Sequence, residues 1–109
     1  MLGDQEFQKR AEESITALYE KLGRAADDFD FDVEMNSGAL TVELEEPRER
    51  FVVSPNAPVR QIWVSAHSRS FKLDWDDARA AFVLPGTGQT LTELIASAIG
   101  RQLGEEVGL

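Results

Sequence analysis

Apolar residues recur at Phe7, Ala11, Ile15, Leu18 and Leu22, the three-and-four spacing of one buried stripe on an amphipathic helix. The pattern predicts a helix from about Asp4 to Leu22, with Asp4 as N-cap and Gly23 as its stop. Glu6, Glu13 and Glu20 fall on a rough acidic stripe away from that core face. The period then changes to two. In "DFDVEM" (30–35) Phe31, Val33 and Met35 alternate with Asp30, Asp32 and Glu34, and in "ALTVELE" (39–45) Leu40, Val42 and Leu44 alternate with Thr41, Glu43 and Glu45. These are two strands of a hairpin, turning at Asn36-Ser37-Gly38, where Gly38 can supply a positive φ. "RFVVS" (50–54) predicts a third strand, ended by Pro55 and Pro58, and "RQIWVSA" (60–66) a fourth. "SFKLDW" (70–75) and the shorter "AAFVL" (80–84) predict a fifth and a sixth. Helical spacing returns with Leu91, Leu94, Ile95, Ala98, Ile99 and Leu103, and Thr90 followed by Glu93 has the spacing of a capping box.

The expected architecture is a single α+β domain over residues 1–109, a two-layer α-β sandwich of order α-β-β-β-β-β-β-α. Two helices would pack on one face of an antiparallel sheet of about six strands and leave the other face open. Strands one and two would turn Phe31, Val33, Met35, Leu40, Val42 and Leu44 toward the helices, and Trp75 on the fifth strand would join the core. Alternation alone leaves the fourth strand undecided: either Ile62 and Val64 face in, or Gln61, Trp63 and Ser65 do.

Charge changes this picture most. Twenty acidic against eleven basic residues give −9. Residues 1–49 hold fourteen acidic and five basic side chains, and residues 50–109 hold six of each, so the whole imbalance sits in the first half. Such a surface repels phosphate backbones, which argues against nucleic acid and for cations or basic protein surfaces as partners. The chain has no cysteine and one histidine, His67, so disulfides, thiolate metal sites and a Cys- or Ser-based triad are excluded. "PGTGQT" (85–90) matches no phosphate-cradling loop and reads as the turn before the capping box. His67 reads as a loop residue. No apolar run approaches the roughly 20 residues of a membrane span, and "MLGDQEFQKR" lacks the apolar segment of a secretory signal, so the expected location is the cytoplasm.

Aspartate is uncommon in strands, which makes "DDFDFDVE" (27–34) the segment to explain. Carboxylates on one face of a strand repeat every ~6.5–7 Å, too widely to close around one ion held at ~2.1 Å. They would give weak binding of several ions, each keeping much of its water. Oxygen-only ligands suit hard cations rather than zinc or copper. The simpler reading is a solvated face that promotes solubility.

The order of elements, with "DQEFQKRAEESI", "DFDVEMNSGALTVELE", "PVRQIWVS", "LDW" and "TLTELI", resembles the frataxin family, and its bacterial (CyaY-type) branch most closely. The likeness covers nearly the whole chain. It implies the α-β sandwich, and weak binding of ferrous and ferric iron at an acidic ridge of the first helix and first strand edge. On this chain the ridge would comprise Asp4, Glu20, Asp28, Asp30, Asp32 and Glu45, with Asp27 and Glu34 adjoining. The resemblance further implies docking on the cysteine desulfurase and scaffold of the iron–sulfur cluster assembly machinery, whose rate family members modulate. Iron donation or storage has also been proposed for them. It places the tryptophan of "QIW" on the open sheet face, so Trp63, Gln61 and Ser65 would look outward as a partner surface, joined by Asn56 and Lys72. "GRAAD" (23–27) departs from the acidic pattern of bacterial relatives, and Arg24 is placed to pair with Glu20. A monomer is expected, with iron-driven oligomerisation left open. Two alternatives stand beside this reading: a slow ferroxidase or iron-storage protein, which the lack of histidine among the acids disfavours, and an acidic protein-interaction module that uses no metal.

Overall fold

The computed structural model describes residues 3–45 and 48–109. Helix α1 spans Asp4–Ala25 and is followed by strands β1 (Phe31–Asn36), β2 (Ala39–Glu45) and β3 (Arg48–Asn56). A short 3-10 turn, Ala57–Val59, leads to β4 (Gln61–Ala66), β5 (Arg69–Asp76), β6 (Ala81–Val83) and helix α2 (Leu91–Leu103). The six strands form one sheet in chain order, β1-β2-β3-β4-β5-β6, with every neighbouring pair antiparallel. This is the expected α-β sandwich.

Register explains which residues meet the helices. Phe31, Val33 and Met35 pair with Leu44, Val42 and Leu40, and Leu40 and Val42 pair onward with Val53 and Phe51. Ile62 and Val64 on β4 pair with Leu73 and Phe71 on β5. All of these side chains except Met35, with Phe7, Ala11, Ile15, Leu18 and Leu22 of α1 and Leu94, Ile95 and Ile99 of α2, form one core, Val33 and Phe71 packing on it half-buried. Phe7 meets Phe82 edge to face at 5.9 Å, which ties α1 to the far edge of the sheet. Trp75 packs edge to face on Phe82 as well, at 5.2 Å, and is half-buried as expected.

Three local expectations are corrected. Gly23 does not stop α1, which continues through it to Ala25. One glycine costs a helix only about 1 kcal/mol relative to alanine, and Ala25 extends the buried stripe one turn beyond Leu22. Asp4 is the first helical residue, and Gly3 occupies the N-cap without a side-chain bond. Pro55 does not end β3. The β2–β3 pairing stops at Leu40 with Val53, so at Pro55, opposite Ile62, the strand has a neighbour on one side only. Proline's missing N–H costs nothing at such an edge-like position.

Turns carry the positive φ values. Ser37 and Gly38 (φ 53° and 83°) turn β1 into β2, and His67 and Ser68 (φ 52° and 61°) turn β4 into β5. Both are two-residue hairpin loops with two left-handed centres, the combination that matches strand twist. The capping box forms as read: Glu93 N–H donates to Thr90 Oγ1 at 3.2 Å, and Thr90 N–H donates to Glu93 Oε1 at 2.9 Å.

Candidate functional site

The acids divide into three environments. Asp27 and Asp28 lie in the turn that follows α1, closed by Asp28 N–H to Ala25 O at 2.9 Å, and Asp30 leads into β1. Asp32 and Glu34 then alternate with the core-facing residues of β1 and so project from the open side of the sheet's free edge. All five are exposed, and among the described residues none forms an ion pair. This is the part of the predicted ridge that the fold brings together.

Glu45 belongs to a second environment. Phe31 pairs with Leu44, so Glu45 stands one step further along, beside Asp30. Its other cross-strand neighbour is Arg48, and Glu43 is likewise opposite Arg50. Glu43 is absent from the residues the resemblance points to, yet it lies directly opposite Asp32. Side chains so placed have Cβ atoms about 5 Å apart, so Asp32 and Glu43 form a directly opposed acidic pair on the open face. The signal was available in the hairpin: a two-residue turn at 37–38 sets Asn36 against Ala39, and hence position 32 against 43.

The helix acids form the third environment. Asp4 is committed to Arg60, whose guanidinium donates to its carboxylate at 2.6 Å. At 1.5 Å of rise per residue, Asp4 and Glu20 are about 24 Å apart along α1 and cannot share an ion. Glu6 and Glu13 bracket Arg10 at 3.6 and 3.5 Å, and Arg10 also lies 5.3 Å over the Trp75 ring. Glu20 is exposed, and the Glu20–Arg24 pair suggested by their one-turn spacing is not among the ion pairs of the described residues. Nowhere among the described residues do three or more carboxylate or imidazole groups converge as a metal cage would require. His67 sits away from the ridge in the β4–β5 turn, its Nε2 2.9 Å from Gln102 Oε1 and its ring against Phe51.

Across the open face the fourth strand is decided. Ile62, Val64 and Ala66 are buried, and Gln61, Trp63 and Ser65 look outward. Trp63 keeps 37% of its surface exposed. Asn56 lies opposite Gln61, on β3 rather than in a loop, and Lys72 lies opposite Trp63 with Nζ 4.9 Å from the ring centroid. The five predicted partner residues therefore share one face of β3, β4 and β5. Asp74, which no reading of the chain singled out, joins them by accepting from Gln61 Nε2 at 3.0 Å. Met35 departs from expectation: it occupies a helix-facing register position yet is 37% exposed, at a groove of about 450 Å³ whose lining includes Phe7, Ala11 and Ile15. No helix among the described residues is long and apolar enough to cross a membrane.

Comparison with known proteins agrees with this fold. The family model described as the frataxin-like domain matches residues 1–105. The iron–sulfur cluster assembly protein CyaY of Azotobacter vinelandii is 35% identical over 80 residues, covering 73% of this chain and 72% of its own. The protein of the same name from Pseudomonas aeruginosa is 34% identical over 100 residues, 90% of this chain and 92% of its own. Among solved structures, the frataxin of Psychromonas ingrahamii superposes with a TM-score of 0.75 at 21% identity, over 97% of this chain and 96% of that one. The trimeric frataxin of the yeast Saccharomyces cerevisiae does so with 0.68 at 23% identity, over 88% and 80%.

Proposed function

The chain belongs to the frataxin-like family, and from that premise we propose that it works in the cytoplasm as an iron-binding modulator of iron–sulfur cluster assembly. Its relatives carry that assembly role in their names. The observation that carries the reading is the run of Asp27, Asp28, Asp30, Asp32 and Glu34, five exposed carboxylates on one turn and one sheet edge, none in an ion pair among the described residues. Ferrous or ferric ions would be held there by one or two carboxylates each, with water completing the shell. Glu45 adjoins this row beside Asp30, and Glu20 is exposed on α1 seven residues before Asp27. Asp4, tied to Arg60, contributes less. The same negative surface would steer the chain onto a basic face of the cysteine desulfurase, while the exposed indole of Trp63 supplies an apolar anchor for the assembly complex.

Anaerobic titration of ferrous iron into the ¹⁵N-labelled protein tests the metal half. Paramagnetic broadening should start at residues 27–34 and spare Gln61 to Ser65. The Asp30→Asn, Asp32→Asn double variant should need several-fold more iron for equal broadening. A titration that leaves residues 27–34 sharp would remove iron from the reading. A second reading, an acidic interaction module that uses no metal, rests on the exposed Trp63 of the open face. It predicts that sharp titration together with loss of complex binding on Trp63→Ala. If ridge carboxylates serve both iron and partner, divalent cation should weaken complex formation more than sodium salt of equal ionic strength.

A further inference from the structure

The open face holds a hydrogen-bond chain that reaches the exposed indole. Trp63 Nε1–H donates to Gln61 Oε1 at 3.0 Å, and Gln61 Nε2–H donates in turn to Asp74 Oδ1 at 3.0 Å. Strands β4 and β5 set Gln61 directly opposite Asp74 and Trp63 directly opposite Lys72, so all four side chains stand on one side of the sheet.

A primary amide has a donor end and an acceptor end, and left alone Gln61 could offer either to the indole. Only the oxygen makes a bond; the NH₂ end would set two donors against each other. An ionised carboxylate only accepts. Asp74 therefore captures the NH₂ end of Gln61 and leaves only the oxygen for Trp63. Order runs outward from Asp74 to the indole.

We propose that Asp74 is a positioning residue for partner docking: by orienting the Gln61 amide it fixes the plane of the Trp63 ring before the partner arrives. This rests on the reading of the Trp63 face as the docking surface. A ring already held in place loses less side-chain freedom on binding. Because the indole N–H is satisfied internally, the partner meets the ring's face and the Lys72 ammonium 4.9 Å from its centroid. The segment that fits is an apolar group with a carboxylate beside it.

The test uses the full chain in a Trp75→Phe background, so that Trp63 gives the single indole signal. Two quantities are read: hydrogen exchange of the Trp63 indole N–H, and affinity for the complex of cysteine desulfurase and scaffold. Asp74→Ala should speed the exchange and weaken binding by about two- to tenfold, the scale of ordering one side chain on binding. Asp74→Asn keeps an acceptor oxygen but adds an NH₂ donor, so both quantities should fall between the parent and Asp74→Ala. Asp74→Ala with unchanged exchange and affinity, while Trp63→Ala abolishes binding, would overturn the positioning role and leave the docking surface standing. Asp74→Asn indistinguishable from the parent in both quantities would show that an acceptor-only group is not needed and overturn it too. Trp63→Ala without effect on binding would remove the docking surface and the proposal with it.

Discussion

Two glycine-to-alanine changes in helix interiors should move stability in opposite directions. Gly23 in α1 has open space where a Cβ would stand, so Gly23→Ala should express helix propensity alone and stabilise by about 1 kcal/mol. Gly100 in α2 has the same propensity to gain, but its Cβ would lie 2.6 Å from the backbone oxygen of Glu105. That segment cannot yield freely. Gly104, left-handed at φ 70°, and Glu105 both donate their N–H groups to Gly100 O, and Val107 beyond them is buried at 8% exposure. Lifting the segment would forfeit two hydrogen bonds at roughly 0.5–1.5 kcal/mol each and part of the ~1.5–3 kcal/mol from burying a valine. Set against the propensity gain, Gly100→Ala should destabilise by about 2 kcal/mol, lowering the melting temperature by roughly 8 °C. Urea denaturation followed by circular dichroism reads both variants. If Gly100→Ala raised the midpoint as Gly23→Ala does, the packing of residues 105–107 against α2 would be refuted.

Four further outcomes follow from the geometry. Ala80 holds φ 51° in the β5–β6 turn, a conformation that penalises a side chain by about 1–2 kcal/mol; Ala80→Gly should raise stability by about 0.5–1 kcal/mol in the same denaturation, after the entropy that glycine adds to the unfolded chain. The Thr90 backbone N–H, then the Thr90 hydroxyl and the Arg79 charge, hold the Glu93 carboxyl below the ordinary carboxylate range. A depressed folded pKa contributes stability above the unfolded value and loses it as pH falls through the folded one, so the gap between the parent and Glu93→Gln should be widest near neutrality and close in acid. Thr90→Ala should cost about 1 kcal/mol near neutrality. Arg60→Met, which frees Asp4 from a surface pair, should cost less than about 1 kcal/mol in thermal melting and leave ferrous broadening at residues 27–34 unchanged.

The fold was legible where one physical signal dominated. Period-two alternation located β1 and β2, and the capping box located the start of α2, because both are short-range devices that their own residues complete. Signals that depend on a neighbour were not. Gly23 reads as a stop until Ala25 is seen to be buried, and Pro55 reads as a break until β2 is seen to have ended. Met35 has the right period for the core, but nothing in the pattern says that the first helix leaves that end of β1 uncovered. At the ridge, residue type was readable and company was not. Asp4 looks as free as Asp30 until the chain returns 56 residues later with Arg60. Asp74 is an ordinary strand carboxylate until β4 lies beside it. The outward turn of Trp63 came from resemblance, since alternation alone allowed either face.

Among the described residues, β1 is the last strand on its side of the sheet, with no partner beyond it. An unpaired edge is a template onto which another strand can add. Asp32 and Glu34 alternate along this one, so a second copy approaching edge to edge would bring its own acids against them. Protons or bound cations that neutralise this fence would lower the barrier between molecules. Light scattering should therefore rise as the acids are neutralised, and stay flat in sodium salt at neutral pH.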